Sequence, residues 1–163
     1  MAKQRQKTSK KKTEPKLRML VVEARFYAHI SDLLLKGATA ALEEAGAEFD
    51  RIEVPGALEI PPAIAIAVEA ARKKRAPYDG VVALGCVIQG ETFHFDIVAM
   101  QSARALIDLS VAQQLPAGNG ILTVDNEAQA LYRADPAKAN KGGEAAKAAF
   151  TLARLKRQLA RPA

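Results

Sequence analysis

The chain has 163 residues, 49% of them hydrophobic and 26% charged, with a formal net charge of +6 at pH 7 and one cysteine. That length suits one domain with a real core. The lone Cys86 excludes an internal disulfide and suits a reducing compartment such as the cytoplasm, and no apolar run approaches the roughly 20 residues of a membrane span.

The basicity is local. Residues 1–18 hold eight Lys or Arg against one acid, leaving 16 basic and 17 acidic side chains for the rest. Residues 1–16 are rich in Lys, Gln, Ser and Thr and lack aromatics, a composition that predicts a disordered basic tail ahead of a domain over 17–163. No apolar segment follows the basic run, so it is not a secretory signal peptide. No aromatic ring is interleaved to stack on bases, so a solubilising extension is favoured over a nucleic-acid-binding arm.

The first predicted strand covers 17–23 and is followed by a loop, Ala24-Arg25-Phe26-Tyr27-Ala28-His29. Ser31 is positioned to cap a helix over 32–45, whose Leu34, Leu35, Ala38, Ala41 and Leu42 recur at helical spacing and whose stop is Gly46. A second strand over 48–54 ends at Pro55-Gly56, and Pro61 and Pro62 sit where a first helical turn tolerates proline, opening a helix to about residue 75.

The centre of the chain is Gly80 to Asp96. A β-branched apolar run reads as a fully buried strand, and Gly90-Glu91-Thr92 then leads into a helix over 95–115. Free N–H groups and the positive end of the helix dipole both face that loop, which makes it a natural anion site. His94, one of two histidines, follows it and brings a proton carrier for neutral pH next to the anion site; the plainer reading is a packed or surface histidine. Cys86 reads as a small core hydrophobe.

Pro116-Ala117-Gly118-Asn119 reads as a turn, followed by a fourth strand over 120–124, a short helix over 127–134, a break at Asp135-Pro136 and a last helix over 142–161. Strands alternating with helices predict an α/β fold with a four-stranded parallel sheet, right-handed crossovers and helices on both faces. Ligands then gather at the carboxyl ends of the strands. Near those ends stand Phe26, an aromatic face; Gly56 and Ala57, which permit close approach; and Glu59, an ionised acceptor at a helix start. Near the last loop, Arg133 and Lys141 offer cations to a phosphate.

Four segments in this order, Ala24-Arg25-Phe26, Val54-Pro55-Gly56-Ala57-Leu58-Glu59-Ile60-Pro61, Gly90-Glu91-Thr92-Phe93-His94-Phe95-Asp96 and Asn140-Lys141-Gly142-Gly143-Glu144-Ala145-Ala146, strongly resemble the lumazine synthase family. The resemblance extends from about residue 17 to 159 and leaves out the tail. It implies a flavodoxin-like three-layer α/β/α sandwich and a cofactor-free, metal-free condensation. The substrates would be 5-amino-6-(D-ribitylamino)uracil and 3,4-dihydroxy-2-butanone 4-phosphate. The product would be 6,7-dimethyl-8-ribityllumazine, in the penultimate step of riboflavin biosynthesis.

By the same resemblance, Phe26 would stack on the pyrimidine, Ala57, Leu58 and Glu59 would hold the ribityl chain, and Val87 and Ile88 would hold the ring system. Gly90, Glu91 and Thr92 would bind the phosphate, and His94 would move protons. Arg133 would clamp the phosphate from a neighbouring subunit, with Lys141 close to the bound ligand. Family members are homopentamers, some of them assembled into 60-subunit shells; an isolated pentamer is the favoured expectation here. One departure is Asn119, where many relatives carry an aromatic ring for the second stacking face. A non-catalytic flavin- or lumazine-binding paralogue is the competing reading, disfavoured because His94 and Arg133 are both retained.

Overall fold

The unbroken apolar runs of the sequence become the centre of a four-stranded, all-parallel sheet. In the computed structural model, which describes residues 14–162, β1 (Arg18–Ala24) pairs with β2 (Glu48–Val54) on one side and β3 (Gly80–Ile88) on the other, and β3 pairs with β4 (Ala117–Val124). The order is β2-β1-β3-β4. Five helices follow or link the strands: α1 (Ala28–Glu44), α2 (Ile60–Lys73), α3 (His94–Gln113), α4 (Glu127–Ala134) and α5 (Lys141–Leu159).

Strand alternation divides the core into two layers. Met19, Val21, Val82 and Leu84 pack under α1, α4 and α5, while Leu20, Val22, Val81 and Ala83 pack under α2 and α3. With β1 and β3 buried on both faces, their sequences have no polar alternation to show. This is the α/β, flavodoxin-like three-layer sandwich anticipated above.

Three predicted features change. Ser31 is not a cap: α1 starts at Ala28 behind Tyr27, and the buried Ser31 hydroxyl donates to the Tyr27 and Ala24 carbonyls at 3.0 and 3.2 Å. A serine that satisfies its hydroxyl on the preceding turn can sit inside a helix. Residues 117–119 are not a turn either. They extend β4 and pair with Val81, Val82 and Ala83, and Gly118 is where the backbone of α5 comes against the strand. Finally, α3 begins at His94 and ends at Gln113, closed by a left-handed Gln114 with φ 49°. Smaller shifts move the end of α2 to Lys73 and the bounds of α5 to Lys141 and Leu159.

The Gly46 stop holds, with φ 72°. Its N–H bonds the Glu43 carbonyl at 2.9 Å and the Ala47 N–H bonds that of Leu42 at 3.0 Å, a Schellman closure. Of the predicted tail, residues 1–13 lie outside the described residues. Residues 14–16 run beside the end of α5, where Glu14 pairs with Arg161 and the Pro15 carbonyl accepts from Arg157 at 2.6 Å. Among the described residues, no helix is long and apolar enough to cross a membrane.

Candidate active site

From β1 the chain crosses to β2 on one side, then returns past β1 to β3 on the other. The chain therefore leaves the carboxyl ends of the adjacent strands β1 and β3 towards opposite faces of the sheet, into α1 and α3, and the crevice between those exits is where an open parallel sheet binds ligands. A cavity of about 410 Å³ occupies that place, within the range of small-molecule sites.

Three segments build its walls. Phe26 stands on the turn after β1, 73% exposed, with its ring edge-on to Tyr27 at 5.0 Å. Ala57, Leu58 and Glu59 come from a single 3₁₀ turn leading into α2, where Pro55-Gly56 ends β2 and Pro61 preorganises the helical turn. The Glu59 carboxylate folds back over Gly56, with Oε2 only 2.8 Å from where a Cβ would stand. Val87 and Ile88 close β3 and supply the half-buried apolar floor.

The third segment carries the charge chemistry. Gly90 and Thr92 line the cavity, and His94 is the first residue of α3. No side chain caps this helix, so its first N–H groups are left for solvent or a ligand; Asp96 is the one acid in the first turn. The His94 side chain is exposed rather than packed.

The cavity thus gathers nine of the thirteen residues singled out in the sequence. The other four are placed elsewhere by this chain. Glu91 is exposed in the loop before α3. Asn119 lies on β4, its Oδ1 accepting from the Ile121 N–H at 3.0 Å, in a separate groove against Ala99, Met100 and Ser102 of α3. Arg133 sits in the last turn of α4, donating to the Gln129 carbonyl at 3.4 Å. Lys141 opens α5 and pairs with Glu144 at 2.6 Å.

Sequence reasoning passed over Tyr27, Phe95 and Val98, which also line the cavity. The signal was available for Val98, since positions 94, 95 and 98 share one helical face. Cys86 is both a core residue, 7% exposed, and part of the cavity wall. Burial pushes its thiol up to about 11. We expect negligible alkylation of native protein by iodoacetamide at neutral pH, read by mass spectrometry, and rapid labelling after denaturation; fast native labelling would contradict the burial. The same shift makes stability fall as pH rises from 9.0 to about 11, because only the unfolded thiol releases its proton there.

Proteins of one family are similar to this chain over most of its length. A sequence profile described as 6,7-dimethyl-8-ribityllumazine synthase matches residues 16–157. A 6,7-dimethyl-8-ribityllumazine synthase of Nitrobacter hamburgensis is 59% identical over 144 residues, 88% of each chain. One from Methylorubrum populi is 63% identical over 140 residues, 86% of this chain and 83% of its own. The match takes in every wall of the cavity, from the Phe26 turn to the start of α3, and the chain belongs to the 6,7-dimethyl-8-ribityllumazine synthase family.

Proposed function

We propose that the chain condenses 5-amino-6-(D-ribitylamino)uracil with 3,4-dihydroxy-2-butanone 4-phosphate, giving 6,7-dimethyl-8-ribityllumazine, inorganic phosphate and water. The observation that carries this reading is the convergence of an aromatic face, a carboxylate, an uncapped helix start and an imidazole in one cavity. The substrate amine attacks the ketone and loses water to form an imine; phosphate leaves by elimination; the second nitrogen closes the ring with loss of water. Every step transfers a proton, and the imidazole of His94, which lines the cavity, carries one nitrogen that can donate and one that can accept.

In this reading Phe26 stacks on the pyrimidine, Ala57, Leu58 and Glu59 hold the ribityl hydroxyls, and Val87 and Ile88 hold the ring. The phosphate rests on the N–H groups of Gly90, Glu91 and Thr92 at the start of α3. Asn119, Arg133 and Lys141 act on the site of an adjacent copy. What supports a shared site is α3, which leaves Ile97, Met100, Ile107 and Val111 44–74% exposed around the Arg104–Asp108 pair. A homopentamer in the cytoplasm follows from the same reading, with a scattering mass five times the 17.5 kDa of one chain; a shell would give sixty times.

Mixing the two substrates with the protein should produce lumazine fluorescence, and its absence with both substrates present would defeat the proposal. Gly90→Ala separates ligand contact from fold. A Cβ at Gly90 meets nothing within 4 Å, so thermal stability should stay within about 0.5 kcal/mol. The KM for the phosphate substrate should rise, because the added methyl group crowds the anion on its N–H cradle. An unchanged KM would remove Gly90 from the phosphate site.

A further inference from the structure

A fully buried carboxylate sits beneath the Phe26 turn, and the catalytic cavity does not use it. Glu23, in β1, is 0% exposed and takes Arg51 of β2 on Oε1 and Arg25 on Oε2, the latter at 3.3 Å. A buried charge of this kind is tolerable only when paired, and here both oxygens are occupied.

Arg25 continues the network outward. Its Nη2 donates to Asp32 of α1 at 2.6 Å, and its Nε lies 4.0 Å from Glu53 of β2. The side chain is only 20% exposed. One guanidinium therefore ties β1, β2 and α1 together at the residue immediately before Phe26. The hydrogen bond to Asp32 is the largest influence holding the pKa of Arg25 above its ordinary value. On the other side of the turn, the Ser31 hydroxyl donates to the carbonyls of Ala24 and Tyr27.

Phe26 itself has almost no packing to hold it, being 73% exposed with one edge contact to Tyr27. A ring so placed owes its direction to its backbone, and the backbone owes its direction to these two latches. Fixing an aromatic face before the ligand arrives removes an ordering cost from binding.

We propose that Arg25, held by Glu23 and Asp32, is a positioning residue that fixes the Phe26 ring for the pyrimidine substrate. The inference rests on the stacking role given to Phe26 above. Breaking the latch acts on one substrate through one ring, so it shows as a split in kinetic constants rather than as general damage.

The test is a double-mutant cycle on the full chain with both substrates. Arg25→Gln should raise the KM for the ribitylaminouracil about fivefold, in line with the loss of one aromatic contact. The turnover number and the KM for the butanone phosphate should change by less than about twofold. In a Phe26→Ala background the same substitution should shift the pyrimidine KM less than about twofold, since there is no ring left to position. Equal effects in both backgrounds, or a loss that falls on turnover, would overturn the proposal. Asp32, whose side chain is 67% exposed, gives a second variant in case Arg25→Gln does not fold: Asp32→Asn should produce a smaller rise of the same kind, and an unchanged pyrimidine KM there would also overturn it. If Phe26→Ala alone leaves that KM unchanged, the stacking role is what fails; if it raises the KM without coupling to Arg25, only the positioning inference fails.

Discussion

Gly118→Ala is expected to destabilise the protein by about 3 kcal/mol, the upper end of ordinary overpacking. Gly118 lies in β4 directly beneath α5, and a Cβ built on it would overlap the backbone carbonyl of Ala145. Flexible side chains can turn away from such a clash, but a helix backbone cannot. To make room, α5 would have to lift, and with it Ala145, Ala146, Ala149 and Ala153, all buried against the sheet. The substitution also gains something: alanine restricts the unfolded chain, worth about 0.4–1 kcal/mol. The clash should outweigh that gain several-fold. For a chain of this size the midpoint of thermal unfolding should fall about 6–12 °C at fixed protein concentration. A shift within about 1 °C would mean that α5 is not seated on β4 as described.

The same close contact explains where the sequence misled. Pro116-Ala117-Gly118-Asn119 has turn composition, and local chemistry alone assigns it to a loop. Its glycine serves helix–strand contact, which depends on α5 some 25 residues later and leaves no local signal. Ser31 misled for a related reason. A serine ahead of a helical apolar pattern is the expected cap, whereas here its hydroxyl turns back onto Tyr27 and Ala24 to hold the turn that presents Phe26.

Other features were legible because their cause is local. β2 and α4 match their predicted bounds, the first ended by Pro55-Gly56 and the second capped by Asn126, whose side chain accepts from the Gln129 N–H at 2.9 Å. Gly46 closes α1 through its own backbone angle. The cavity was legible through the positions of strand ends, which a parallel sheet must bring to one edge. The Arg25 network was not legible. Nothing in Glu-Ala-Arg-Phe shows that its carboxylate is buried or that Arg51 and Asp32 will meet it.

The second large effect is on catalysis, and it tests how the site is divided. His94→Ala should lower turnover by about tenfold to a hundredfold, at or below the lower limit of general acid–base effects of about 10²–10⁴. The loss is limited because, in the proposed reaction, much of the rate comes from holding the two reactants together, a task given to Phe26 and the loop before α3 and left intact by this substitution. Arg133→Ala should lose more kcat/KM and register chiefly in the KM for the butanone phosphate, since in the proposed reaction its guanidinium clamps the anion. An unchanged turnover in the histidine variant would remove His94 from the mechanism. The two residues stand on α3 and α4, and only His94 lines the cavity of its own chain. If Arg133 serves the neighbour's site, each variant subunit keeps the half that the other lacks. Unfolding and refolding an equal mixture of His94→Ala and Arg133→Ala chains should then restore sites in which an intact His94 meets an intact Arg133, with activity well above that of either variant alone. Were both residues to serve the same chain's site, every subunit in the mixture would carry a defect, and the activity would be no more than the average of the two variants.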